Sequence, residues 1–112
     1  MTDSILTSIK KLLGLTDEYT NFDTDIIIHI NSVLMVLNQL GVGPSEGFSI
    51  QDKSSTWDEF ITEESKLEAV RTYIYLKVKL VFDPPLNSSV MEALKQSINE
   101  LEWRLNVQAE SE

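Results

Sequence analysis

Apolar residues recur at helical spacing in four segments of the chain, and all the glycines and prolines lie outside these segments. One helical turn takes about 3.6 residues, so this spacing places the apolar side chains of each segment on one face. The pattern predicts helices at about 4–13, 24–40, 63–82 and 89–106. The chain is therefore predicted to be mainly all-α, a four-helix bundle-like fold in which residues 1–112 form a single domain.

The ends of these helices carry recognisable signals. Asp83-Pro84-Pro85 predicts a sharp stop after the third helix, because proline has no amide hydrogen and disfavours helix in the residue before it. Asp23 is the predicted N-cap of the second helix, and Ser89 with Glu92 has the spacing of a capping box for the fourth. β-branched residues near the end of the third helix also permit a strand, but the helical pattern before them favours a helix. The polar residues 107–112 are predicted to fray.

Residues 42–62, between the second and third helices, are predicted to form a long loop. This loop contains large apolar residues that a solvated linker does not need. Phe48 to Gln51 has the pattern of a short strand, and Thr56 is placed to cap a helical turn that reaches Phe60. Long loops in small domains are often functional or ordered by a partner. Trp57 and Phe60 are therefore candidate contacts with another subunit.

Composition narrows the function further. The chain has 18 acidic and 9 basic residues, a net charge of −9, which disfavours a protein that binds nucleic acid by neutralising phosphates. It has no cysteine, so it forms no disulfide, and a reducing compartment is compatible with it. Its apolar stretches are too short to cross a bilayer, and the N-terminal segment has the pattern of an amphipathic helix rather than a signal peptide. No membrane partner is expected.

The chain offers few residues for catalysis, so it is not predicted to be an enzyme. His29 is the single histidine and is expected to lie at the boundary of the core. The acids around Asp17 lack the spacing of a calcium loop. Gly41 and Gly43 follow a helix, whereas a phosphate-binding loop follows a strand and opens a helix. No catalytic, metal-binding or cofactor-binding residue is predicted.

Two residues do not fit a simple core pattern. Trp103 points away from the apolar stripe of the last helix, because each residue turns the helix by about 100°. Its ring either folds back onto the loop around Trp57 or, together with Arg104, forms part of a subunit interface. Lys77 lies within the apolar face of the third helix. It is expected to extend its stem to solvent, and the alternative is a salt bridge to an acid of a neighbouring subunit.

Several stretches resemble the head-tail connector (adaptor) proteins of tailed bacteriophages. The stretch from Tyr73 to Pro85, then residues 91–94 and 100–106, resemble the C-terminal half of these proteins. Residues 40–44 and 56–60 resemble the loop of that family, in the same order. The resemblance covers nearly the whole chain, and it is carried by the combination of Phe-Asp-Pro-Pro with Glu-Trp-Arg-Leu-Asn.

The resemblance implies a small helical subunit that docks as a homo-oligomeric ring beneath the portal protein. Such a ring extends the DNA channel, lets DNA pass without specific binding, and presents a surface to the stopper or tail-completion protein. The protein would then be located at the head-tail interface of the virion, and in the host cytoplasm during assembly. The candidate subunit or portal contacts are Trp57, Phe60, Lys77, Trp103 and Arg104, and Asp83-Pro84-Pro85 is a structural helix stop.

A second hypothesis is an acidic helical regulator that binds a basic protein by mimicking the charge of a nucleic acid. Exposed apolar surface distinguishes the two hypotheses. A ring subunit should expose Trp103 and part of the second helix when isolated, while a mimic should expose chiefly carboxylates. A small hydrolase is a third possibility, but no constellation of residues supports it.

Overall fold

Five helices form the fold within residues 3–110, the part of the chain that the computed structural model describes. They are α1 (Ile5–Leu12), α2 (Asp23–Gln39), α3 (Trp57–Phe60), α4 (Glu64–Phe82) and α5 (Ser88–Glu110). No strand forms in this part of the chain, where an isolated antiparallel bridge joins Ser4 to Thr56. The prediction of a mainly all-α fold is confirmed, and the four predicted helices correspond to α1, α2, α4 and α5.

The core is built around α4, which packs against both α2 and α5, while α1 packs against α2 and α4. One face of α4 is fully buried, and it is the face that the sequence spacing predicts: Val70, Tyr73, Ile74 and Val78. The molecule measures 38 × 36 × 20 Å. Its shortest dimension is about two helix diameters. The long helices therefore each keep a side close to the molecular surface.

Two of the predicted helix ends, at α3 and α4, are confirmed, and α1 also begins at a side-chain cap. The hydroxyl of Ser4 accepts a hydrogen bond from the Thr7 amide at 3.2 Å and caps α1. Thr56 and Glu59 form a capping box at α3, so the predicted helical turn after Thr56 is present. α4 ends at Phe82, where the Asp83 amide donates to the Lys79 carbonyl at 2.9 Å and the two prolines stop further helix.

Two predicted caps are wrong. Asp23 is the first residue of α2 rather than its cap, and Phe22 occupies the cap position without a side-chain hydrogen bond. The Asp23 carboxylate instead pairs with Lys10 at 2.9 Å, so an ion pair competes successfully with capping. At α5 the cap is Asn87, whose side chain accepts hydrogen bonds from the amides of Ser89 and Val90 at 2.8 and 3.2 Å. Ser89 lies inside the helix.

The last helix is longer than predicted, because α5 continues past Asn106 to Glu110. Residues 111 and 112 lie outside the described part of the chain. Packing explains the longer helix. Ala109 is half-buried against the core and lies beside Gly41, at the end of α2. A helix end that contacts the core loses less by staying ordered than one that extends into solvent.

The predicted strand at Phe48 to Gln51 is also wrong, and a side chain takes the place of a strand partner. The Asn31 amide group donates to the Ile50 carbonyl at 2.9 Å, and the Ile50 amide donates to the Asn31 side-chain oxygen at 2.8 Å. Both backbone groups of Ile50 are thus satisfied by one residue of α2. A buried backbone segment needs such partners but does not need a second strand to supply them.

An ion pair between a buried lysine and a partly covered carboxylate stabilises the connection between α1 and α2. Lys10 is 1% exposed, and its ammonium group contacts the Asp23 carboxylate at 2.9 Å and donates to the Asp17 carbonyl at 3.1 Å. The carboxylate is only partly covered. Because a buried ammonium group is costly without partners, these two contacts hold the acidic connection against the end of α1.

We expect Lys10→Ala to lower the free energy of unfolding by about 2 kcal/mol, since it removes the buried stem and leaves a partly covered carboxylate unpaired. Lys11→Ala is the matched control, because Lys11 is exposed and lies in the same last turn of α1. The control should change the free energy by less than about 0.5 kcal/mol. Urea unfolding of both variants measures the difference. Equal effects would mean that the ion pair does not contribute.

Substitutions at two glycines of the long loop distinguish the cost of backbone strain from the cost of crowding. Gly43 and Gly47 have φ angles of +89° and +93°, but only at Gly43 would an added methyl group overlap the Phe60 ring. We expect Gly47→Ala to cost about 1 kcal/mol from the backbone alone. Gly43→Ala should cost about 1 to 3 kcal/mol more, because Phe60 is buried and cannot move aside freely. Urea unfolding compares the pair, and similar losses would contradict the packing of Phe60.

Candidate interaction surfaces

Trp57 lies in the core, so it offers no exposed contact surface in this conformation. Its indole nitrogen donates to the Ser8 hydroxyl at 3.1 Å, and the Arg71 guanidinium lies 5.4 Å from the ring centroid. Two backbone hydrogen bonds hold the loop beside the start of α1. The Ile5 amide donates to the Ser55 carbonyl at 3.0 Å, and the Trp57 amide donates to the Asp3 carbonyl at 3.1 Å. A contact between Trp57 and another subunit would require this loop to open.

Phe60, the second aromatic candidate of the loop, is also buried. Its ring packs against Phe48, with the ring centroids 5.4 Å apart. The two rings cover the end of α2 near Gly43. Thus the large apolar residues of the loop complete the core of this chain, which accounts for their presence without a partner.

Trp103 is the large aromatic side chain that α5 directs outward, with 66% of its surface exposed. The buried side of the helix carries Leu94, Ile98 and Leu105. The ring therefore does not fold back onto the loop, and the alternative of an outward contact residue agrees with its position. Arg104 pairs with Glu100 at 2.7 Å on the same exposed surface. The two residues lie one helical turn apart, and an exposed ion pair of this kind contributes little to stability.

A hydrogen bond between α4 and α5 sets which side of α5 faces outward. The Tyr73 hydroxyl donates to the Glu102 carboxylate at 2.7 Å. Tyr73 is fully buried, and Glu102 is the residue before Trp103. Burial raises the pKa of Tyr73 well above its ordinary value, and the neighbouring carboxylate raises it further. The hydroxyl therefore keeps its proton and remains a donor.

We expect Tyr73→Phe to lower the free energy of unfolding by about 1.5 kcal/mol at neutral pH, the usual contribution of a hydrogen bond to a charged group. The folded chain holds the tyrosine proton more tightly than the unfolded chain. The contribution is therefore complete below the unfolded pKa of about 10 and declines as the pH rises toward the folded value. Chemical unfolding between pH 7 and 11 should show this decline in the parent chain.

Tyr75→Phe is the matched control for this prediction, because Tyr75 lies on the same helix and its hydroxyl has no hydrogen-bond partner within residues 3–110. The control should leave both the stability at neutral pH and its alkaline decline unchanged. If Tyr73→Phe kept the full alkaline decline, the Tyr73 hydroxyl would not be its source.

A groove of about 260 Å³ lies between α2 and the C-terminal half of α4. Its lining residues are His29, Ser32, Val33, Val36, Lys77 and Val81. Lys77 is half-buried, with its ammonium group 5.9 Å from the centroid of the Tyr73 ring, and it forms no ion pair with a residue in the described range. This position agrees with a stem that extends along apolar surface toward solvent.

Exposed apolar side chains lie on the outer side of α2 and at the C-terminal end of α4. Ile28 and Met35 are 56% and 60% exposed and lie on one side of α2, seven residues apart. Val81 is 59% exposed although it belongs to the apolar face of α4. The second helix is thus apolar on more than its buried side, as its sequence indicates. We call the surface formed by the groove residues with Ile28 and Met35 the α2–α4 surface.

A second cleft, of about 310 Å³, lies where the ends of α2 and α5 meet α3. Its lining contains three acids and one lysine, together with two glycines: Asp58, Glu59, Glu63, Lys66, Gly41 and Gly43. Within residues 3–110 no group of three histidines or acids is arranged to hold a metal ion. In the same range no helix is both long enough and apolar enough to cross a membrane.

These features define a class of protein. A small all-α chain that exposes an isolated tryptophan and an apolar groove has the surfaces of a protein that works by contacting other proteins. The chain matches the model of the family described as phage connector protein over residues 5–112, and it belongs to this family. It is thus a structural connector of a phage and a component of the virion. No curated protein and no solved structure matches it.

Sequence reasoning identified the exposed side of α5 but not the groove. A signal was present in α4, where Lys77 interrupts an apolar face that Val81 continues. Spacing along one helix does not show where a neighbouring helix diverges and leaves that face uncovered. The predicted contacts therefore separate into two groups. Trp103, Arg104 and Lys77 lie at the surface, whereas Trp57 and Phe60 lie in the core.

Proposed function

We propose that the chain, acting as a single domain, assembles into a homo-oligomeric ring between the portal protein and the stopper or tail-completion protein. The ring would extend the channel through which DNA passes. The observation that carries the proposal is the exposure of Trp103 and of the outer side of α2 in a member of the phage connector family. Apolar surface of this kind is typical of a subunit that is completed by neighbours.

The net charge of −9 is compatible with such a channel. Carboxylates repel the phosphate backbone, so an acidic lumen lets DNA move without adhering to the protein. The acids of this chain are spread over α2, α4, α5 and the loops, and all of these elements carry exposed acidic residues. Assembly would take place in the host cytoplasm, where the portal is available.

The acidic regulator is the competing function. Charge alone fits it as well, but a charge mimic has no use for an exposed tryptophan or for an apolar groove whose lining contains no acid. The exposed apolar surface therefore favours the connector assembly.

Purified chain mixed with the portal from the same phage or prophage tests the proposal. Light scattering and electron microscopy should show chains added to the portal as a ring coaxial with its channel, whether or not the free chain forms rings. The portal alone and the chain alone are the controls. Compact monomers that ignore the portal and instead bind a basic protein would contradict the proposal and favour the regulator.

A further inference from the structure

We propose that the Trp103 side of α5 in one copy of the chain docks into the α2–α4 surface of the next copy. This inference rests on the proposed ring and specifies the contact that would build it. A head-to-tail contact needs two different patches on each subunit, and repetition of that contact by rotation closes a ring.

The two patches lie on different elements. The groove is lined by residues of α2 and α4, and none of its lining residues belongs to α5. Trp103 projects from the side of α5 that faces away from the core. One copy can therefore use both patches at the same time, which a ring requires of every subunit.

The size of the groove fits a side chain. Its volume of about 260 Å³ falls below the range of about 300 to 1,000 Å³ that small-molecule sites usually occupy. Valine side chains line it, and the outer side of α2 exposes Ile28 and Met35. A single tryptophan supplies a large apolar area at a low entropic cost, which is why tryptophan is frequent among the dominant residues of interfaces.

The charges of the two patches are complementary. The chain has 18 acidic residues, yet the groove is lined by none of them and carries Lys77 and His29. The outward side of α5 carries Glu110 near Trp103 by helical spacing, and it also carries Glu100, whose charge is paired with Arg104. A second copy thus brings the Glu110 carboxylate toward a groove that is lined by a lysine and by no acid. This pairing identifies another copy as the occupant.

Two variants test the contact on the intact chain. Trp103→Ala removes the projecting side chain, and Val81→Glu places a carboxylate in the groove. Both positions are exposed, so both variants should fold, and circular dichroism checks this. With portal present, chemical cross-linking of the parent chain should give a ladder of oligomers. Each variant alone should lose this ladder, because loss of a dominant interface residue weakens a contact by about thirtyfold.

The mixture of the two variants gives the decisive result. The Val81→Glu chain keeps its Trp103, and the Trp103→Ala chain keeps its groove, so the mixture contains one intact contact. Cross-linking should then give a dimer and no larger species. Leu86→Glu and Val90→Ser are the controls, since both residues are exposed apolar residues outside the two patches, and both variants should keep the full ladder.

Other outcomes overturn the contact in distinguishable ways. If both variants kept the ladder, the ring would stand but its contact would lie elsewhere. If Val81→Glu alone formed dimers, Trp103 would meet its own equivalent in a symmetric pair. If parent chains bound the portal without cross-linking to each other, the portal would be the occupant. If the parent chain ignored the portal, the proposed function would fail together with this contact.

Discussion

The packing of α4 against α2 and α5 is the constraint on which the rest of the structure depends. Val70, Tyr73, Ile74 and Val78 are wholly buried in this contact. Because α4 ends abruptly at the two prolines, the chain turns there, and α5 packs along α4. The buried side chains of Leu94, Ile98 and Leu105, with the Tyr73–Glu102 hydrogen bond, then fix the rotation of α5. The outward direction of Trp103 is thus a consequence of how α4 is covered.

Much of this architecture follows from local patterns in the sequence. Most of the wrong predictions of caps and strands have one cause. The four long helices were predictable because their apolar spacing persists over several turns. Caps were less predictable. The Asp23 carboxylate can bind either a backbone amide at the start of α2 or the side chain of Lys10, which lies 13 positions earlier in the chain. Likewise, nothing adjacent to Ile50 indicates that Asn31 satisfies its backbone. These errors arose where a distant residue supplied the partner, whereas at α5 the cap Asn87 lies only two residues before the predicted one.

The two tryptophans predicted as contact residues differ for a similar reason, because distant parts of the chain decide whether each is buried. Trp57 and Trp103 are equally apolar in sequence, and only the fold distinguishes them. Trp57 follows a long loop with enough freedom to bring its ring to Ser8 and Arg71. Trp103 has no such freedom, because it is fixed to a helix whose opposite side is already buried. A tryptophan on a rigid helix, facing away from the core, is therefore a stronger indication of a partner than a tryptophan in a loop.

Exposed apolar residues do not all carry the same meaning. Leu12 and Leu86 are exposed, but single apolar residues at a surface are ordinary in globular proteins. The groove of the α2–α4 surface differs because three valines line one concave site that is lined by no acid, in a chain of net charge −9. Folding accounts for Val33, which belongs to the buried core, but it does not account for the exposure of Val81 in the same groove. A surface that folding does not explain is best explained by assembly, and the outer side of α5 carries the exposed tryptophan that we propose as its partner.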